Sequence, residues 1–213
     1  LLFISVMGSL HALFPDTVLV KFIDDLTVIV PVYRRGSSHA AEEDHNIRSW
    51  TNKVGLTLNV EKSKCLVFKK SATHVLIHLP DVEFVETHRI LGVLWSDNLD
   101  WSPHFKTVSR TFSSRLHCLR ILKGFLNAND LWNVYKCLLL PLLEYCSPLF
   151  IGMPKRICDR LEKLQRRAHS IICGRDCTCK NIEALSTRRL ARGYAVLIQM
   201  LSPSHPLNNL LPP

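Results

Sequence analysis

The hydrophobic period of this chain changes near residue 100, and that change limits its fold more than any other feature. Before it, apolar residues come in short runs at 17–22, 26–30, 56–58, 65–68, 74–79, 82–85 and 89–94. Runs of this length, rich in β-branched residues and divided by polar turns, predict strands. After it, Phe105, Val108, Phe112, Leu116, Leu119 and Leu122 recur every three or four residues. That is the apolar stripe of a helix. Leu131, Val134, Tyr135, Leu138 and Leu142 mark a second helix, kinked at Pro141. Ile157, Leu161, Leu164, Ala168 and Ile171 mark a third, with Gly174 after it. Asn181 is placed to cap a fourth that runs toward Met200.

One helix is expected in the first half, from Ser38 to Val54, closed by Gly55. Residues 1–14 read as a buried helix end or connector. The expected class is therefore α+β. Antiparallel strands with one or two helices occupy 1–100, an all-α region occupies 101–202, and 203–213 form a frayed Pro-rich tail.

Charge divides at the same place. Residues 1–100 hold 10 Lys+Arg against 12 Asp+Glu, whereas 101–213 hold 17 against 6. A one-sided positive field favours polyanions, either nucleic acid or an anionic membrane surface. Neither long apolar stretch reads as a membrane span or a secretory leader. Residues 1–14 lack a basic start and contain Gly8 and His11, and residues 137–151 are short and contain Glu144 and two prolines. The eight cysteines are scattered, most of them among apolar neighbours, the pattern of free thiols in a reducing compartment. An intracellular location, cytoplasmic or nuclear, is expected. Cys173, Cys177 and Cys179, with His169 or His205 as a fourth ligand, have the residue types of a zinc site. Cys177-Thr178-Cys179 is too tight for the usual Cys-x-x-Cys loop, and no zinc is expected.

The sharpest chemical signal is Asp24-Asp25, between the runs at 17–22 and 26–30. The arrangement predicts a buried hairpin with acids at its tip. Adjacent carboxylates in apolar surroundings call for a cation, and oxygen ligands suit Mg²⁺.

The flanks give this pair a context. Phe22-Ile23-Asp24-Asp25 resembles the aromatic-x-Asp-Asp hairpin of reverse transcriptases. Leu1-Leu2-Phe3, Trp50 with Gly55-Leu56-Thr57-Leu58-Asn59, and Arg89-Ile90-Leu91-Gly92-Val93 with Leu99-Asp100-Trp101-Ser102 resemble successive segments of non-LTR retrotransposon enzymes. Leu143-Glu144-Tyr145-Cys146-Ser147-Pro148, and the later Leu161-Glu162-Lys163-Leu164-Gln165-Arg166-Arg167-Ala168, resemble the thumb and connection of jockey-like LINE elements. The resemblance runs in order from residue 1 to about 200.

It implies a partial polymerase palm followed by a thumb-like helical region. It implies an RNA-directed DNA polymerase, a nucleotidyltransferase that uses Mg²⁺, an RNA template, a DNA primer and dNTP. Asp24 and Asp25 would be catalytic metal ligands in two-metal nucleotidyl transfer. Phe22 and Ile23 would pack at the hairpin. Asn59 and Lys62 match the family's Asn-x-x-Lys, with Lys62 favoured over Lys64 to neutralise the triphosphate or protonate pyrophosphate. Leu91 and Gly92 would form the primer-grip turn. Arg110, Arg115, Arg120 and Lys123 would contact phosphates, with Arg166-Arg167 and Arg188-Arg189 repeating the pattern.

The family's third catalytic aspartate precedes the segment that Leu1 begins. The expectation is therefore a fragment that does not polymerise alone. The alternative is a non-catalytic nucleic-acid-binding remnant that uses the basic helical half.

Overall fold

The computed structural model describes residues 2–33, 37–68, 77–174 and 183–208, and the side chains from Ser5 onward. The fold is mixed α+β. It divides into two compact units, Leu1–His88 with Ser96–Leu99, and Arg89–Trp95 with Asp100–Pro213.

The first unit opens with helix α1 (Leu2–Gly8), followed by β1 (Val18–Phe22) and β2 (Asp25–Ile29). β1 and β2 form an antiparallel pair in which Val18 faces Ile29 and Phe22 faces Asp25. Helix α2 (Ala40–Val54) ends at Gly55, whose φ of 72° is the left-handed conformation that lets a chain leave a helix. Ser38 does not cap α2; its hydroxyl donates to the Pro31 carbonyl at 3.0 Å. Two-residue strands β3 (Lys64–Cys65) and β4 (Glu83–Phe84) pair in parallel, against the all-antiparallel expectation. A long connection separates them, which parallel pairing requires. Residues 56–58 form no strand. The run at 74–79 lies partly outside the described residues.

The single strand expected over 89–94 is a tight hairpin, β5 (Thr87–Ile90) and β6 (Val93–Ser96). Leu91 (φ 46°) and Gly92 (φ 82°) form its turn. Two consecutive positive-φ residues suit the twist of a two-residue hairpin.

The second unit is a helical assembly around one core. Helix α3 (Ser102–Leu122) buries Phe105, Phe112, Leu116 and Leu119, the expected stripe. The second expected helix is three pieces: α4 (Ala128–Val134), a π turn (Tyr135–Leu139) and α5 (Leu140–Glu144). Pro141 is the physical cause. It has no N–H to donate and its ring crowds the preceding turn, so the helix widens before it. A 3₁₀ turn (Ser147–Phe150) leads to α6 (Lys155–Cys173), which buries Ile157, Leu161, Leu164, Ala168 and Ile172. Helix α7 (Leu185–Met200) follows. Asn181 lies outside the described residues. Glu162 of α6 takes the capping role: its Oε1 accepts from the Leu185 and Ser186 amides at 2.6 and 3.4 Å. A carboxylate there satisfies orphan donors and suits the helix dipole. Past α7, Ser202–Asn208 is a set of turns, with Asn208 Nδ2 donating to the Met200 carbonyl at 3.0 Å.

No described helix is long and apolar enough to cross a membrane. Cys65, Cys118, Cys137, Cys146, Cys158 and Cys173 are free thiols.

Candidate functional site

The acid pair sits at the turn of the β1–β2 hairpin. Because Phe22 faces Asp25, the two-residue turn is Ile23-Asp24, and Asp25 is the first residue of β2. Ile23 has φ 54°. A β-branched side chain at positive φ is strained, by about 1–3 kcal/mol. Asp24 and Asp25 are both exposed. The hairpin is not buried as the sequence suggested: Phe22 is 54% exposed and Ile23 63%. Neither packs beneath the tip. A two-stranded ribbon has two faces, and this one is covered only in part, so its alternate residues stay in water.

What anchors the hairpin is a lysine. Lys21 Nζ donates to the Met7 carbonyl at 2.7 Å and the Leu10 carbonyl at 2.5 Å. Met7 is in the last turn of α1, where a cation is favourably placed. Behind it, Glu43 of α2 is 1% exposed and accepts from the Leu13 and Phe14 amides at 2.9 and 3.0 Å. His39 stacks on Phe14 with ring centroids 3.9 Å apart.

Asp24 and Asp25 are adjacent exposed carboxylates, the donor type Mg²⁺ takes. Among the described residues, no cluster of three or more His, Cys, Asp or Glu is placed to hold a metal. His169 Nε2 stands 3.8 Å from Cys173 Sγ, while Cys177 and Cys179 lie outside the described residues.

Asn59 shapes the turn before β3. Its Oδ1 accepts from the Lys62 amide at 3.1 Å, and its carbonyl accepts from the Lys62 and Ser63 amides at 3.2 and 3.1 Å. The Asn-x-x-Lys spacing is thus the spacing of a side-chain-capped turn. It leaves the Lys62 side chain exposed, whereas Lys64 is paired with Glu83 at 2.6 Å.

The Leu91-Gly92 turn is held from both sides. Tyr145 Oη donates to the Leu91 carbonyl at 2.6 Å, and Arg89 Nη1 donates to the Gly92 carbonyl at 3.2 Å. A Cβ on Gly92 would stand 3.5 Å from the Tyr145 ring. Below the turn, the Leu94 amide donates to His104 Nδ1 at 3.2 Å. Burial, reinforced by Arg89, lowers the His104 pKa, in keeping with a ring nitrogen that accepts. His104 carries no motif of its own, and the 143–148 segment that contains Tyr145 assigns it no role. Their roles come from partners 54 and 10 residues away in sequence.

The cations expected on α3 do not form one surface. At about 100° per residue, Arg115 and Arg120 flank the buried stripe on opposite sides and Arg110 points nearly opposite to it. Lys123 lies just past the helix end. Arg115 is held to the Leu138 carbonyl. Arg188 and Arg189 are also not free for phosphate. Arg188 donates to Glu144 at 2.5 Å and to Gln165 Oε1 at 2.6 Å. Arg189 is 4% exposed, with Nε and Nη2 unpartnered, and burial lowers its pKa. They occupy the face of α7 that also buries Leu185, one turn earlier.

On α6 the cations do align. Arg156, Arg160, Lys163 and Arg167 are exposed and follow a four-three-four spacing. That spacing puts them within about 60° of one another on the helix surface. The signal was present in the sequence, in the same periodicity that located the apolar stripe.

Comparison of the chain with protein-family models, with curated proteins and with solved structures finds no match.

Proposed function

We propose that this chain is part of an RNA-directed DNA polymerase of the non-LTR retrotransposon type. The observation that carries the reading is the acid-tipped hairpin: adjacent exposed carboxylates at a two-residue turn, with strain at Ile23. Strain at a turn is a pointer toward function, since folding alone would favour glycine there. Four later features, in chain order, add support: α2 closed by Gly55, the Asn59 turn presenting Lys62, the Leu91-Gly92 turn braced by Tyr145, and then the helical unit.

On this reading Asp24 and Asp25 hold the divalent ion, which supplies positive charge for phosphate oxygens. Lys62 offers a further cation on an exposed turn. Leu91 and Gly92 present backbone to a nucleic-acid strand, where the missing Cβ permits close approach.

The test is RNA-templated primer extension by the chain within its native reading frame. Asp24→Ala is expected to lower the rate by at least about 10²–10³-fold, the scale of an electrostatic group acting on a transition state. Extension at the unaltered rate in that variant would overturn the reading. Mn²⁺ titration gives a separate check: resonances of residues 23–26 should broaden first, and should not in Asp24→Asn/Asp25→Asn.

A second reading, a nucleic-acid-binding module without catalysis, is favoured by the aligned cations of α6, which do not need the hairpin. Nucleic-acid binding that survives Asp24→Ala, with no extension in either protein, would select it.

A further inference from the structure

We infer that the exposed face of α6 is a backbone-binding rail for a nucleic-acid duplex, with Arg160, Lys163 and Arg167 as its phosphate contacts. The inference rests on the proposed function only in taking the polyanion to be nucleic acid.

Three observations carry it. The first is alignment. Arg156 to Arg167 spans about 16 Å at 1.5 Å per residue. At 3.4 Å of duplex axis per phosphate on each strand, that length runs alongside about five base pairs. The line lies about 120° around the helix from the centre of the buried face, which keeps it in solvent.

The second is availability. Among the described residues, the salt bridges are Arg48–Asp44, Lys64–Glu83, Arg188–Glu144 and Arg192–Glu144, and none uses an α6 cation. Arg156 is the weaker member, because its charge helps depress the Asp100 carboxyl, whose main support is the Ser102 amide. Of the two acids on α6, Glu162 is turned to the start of α7 and Asp159 is exposed beside the line.

The third observation separates nucleic acid from a membrane. A helix that lies on a bilayer inserts an apolar face below its cations. The apolar residues of α6 are instead in the core: Ile157, Leu161, Leu164, Ala168 and Ile172 are all buried. Gln165 fixes that orientation, bonding to the Glu183 carbonyl at 3.1 Å and to Arg188 at 2.6 Å. The outward face of α6 is charged without apolar residues among the charges, which suits a phosphate backbone and gives a bilayer nothing to bury on this helix.

The experiment measures affinity against salt by fluorescence anisotropy, using a labelled RNA–DNA hybrid and a labelled DNA duplex of equal length. Each phosphate contact contributes about −0.9 to the slope of log K on log salt. Arg160→Gln/Lys163→Gln/Arg167→Gln should flatten the slope by about 2.7 and weaken binding near 0.1 M salt by roughly 10²-fold or more. Arg110→Gln/Arg120→Gln/Lys123→Gln, whose cations diverge, should flatten it by about one contact or less. An α6 variant that keeps the original slope, or an α3 variant that loses as much as the α6 variant, overturns the inference. So does binding to phosphatidylserine vesicles with none to either duplex.

Should the triple variant fail to fold, photo-crosslinking of the unaltered chain replaces it. Crosslinked peptides should fall within Lys155–Cys173, and peptides only from elsewhere overturn the inference. Salt slopes are taken in EDTA, where a divalent ion at the hairpin contributes nothing, so a failed extension assay and a failed rail are read separately.

Discussion

The two units of this molecule are held together by different means. Among the described residues, the second unit buries seventeen apolar side chains in one continuous cluster, from Val93 to Leu185. Among its described apolar residues the first buries Met7, Leu10 and Ile47 alone. In place of a large core it has directional ties: Glu43 to two amides, Lys21 to two carbonyls, Asn46 Nδ2 to the His11 carbonyl and Trp50 Nε1 to Ser9. A buried side chain contributes about 1.5–3 kcal/mol, whereas a hydrogen bond contributes about 1 kcal/mol net. The second unit should therefore carry most of the stability. The unit with the acid-tipped hairpin should open first, and it exposes Val20, Phe22, Ile23 and Ile29 on that hairpin.

The strongest way to break this contrast is Phe112→Ala. Phe112 is fully buried in the large cluster, and its loss should cost about 3–5 kcal/mol. Hydrogen exchange should accelerate across α3, α4 and α6 while amides of α2 keep their rates. Uniform acceleration through both units would show that they unfold as one. Next comes Glu43→Ala, which leaves the Leu13 and Phe14 amides without their partner. A loss of about 2–3 kcal/mol, confined to the first unit, is expected. A loss under about 0.5 kcal/mol would mean that polar ties do not hold it.

The turns sharpen the comparison further. Ile23→Gly should stabilise the β1–β2 hairpin by about 1 kcal/mol through relief of positive φ. Gly92→Ala should destabilise the β5–β6 hairpin by about 1–2 kcal/mol for the opposite reason. Chemical denaturation of each variant reads both signs.

The smallest effect is a pH dependence in the second unit. His104 has a folded pKa lowered by burial and by Arg89, so its neutral form is the one the fold keeps. Stability from this group is full above the ordinary histidine value of about 6.5 and is lost as pH falls from there toward the folded pKa. Thermal melts between about pH 7 and 5 should show that loss, and His104→Gln should remove it. An unchanged pH profile in His104→Gln would rule the group out.

Much of the helical unit was legible because one period repeats for many turns. The stripe of α3, the run of α6 and the break at Pro141 all follow from spacing and from proline's missing N–H. The hairpins were partly legible. Two apolar runs around an acid pair imply β1 and β2, but spacing cannot show whether a ribbon's faces are covered. That is why Phe22 and Ile23 were expected inside and are found exposed. The strand run at 89–94 hid a turn, because Leu91-Gly92 reads as apolar when φ is not known.

The cations show the same division. Charge counts placed the basicity in the second half, and nothing in a count distinguishes Arg189, buried on α7, from Arg160, exposed on α6. Helix phase does distinguish the α3 set, which diverges, from the α6 set, which aligns. What the sequence by itself determined is the α+β class, the helix stripes, and two adjacent acids between strand-forming runs, because periodicity and residue type act locally. Only the tertiary structure decided which polar groups are engaged. Glu43, Lys21, Tyr145, Glu162 and Arg188 are fixed by partners far along the chain, and a partner at that distance is set by packing, not by spacing.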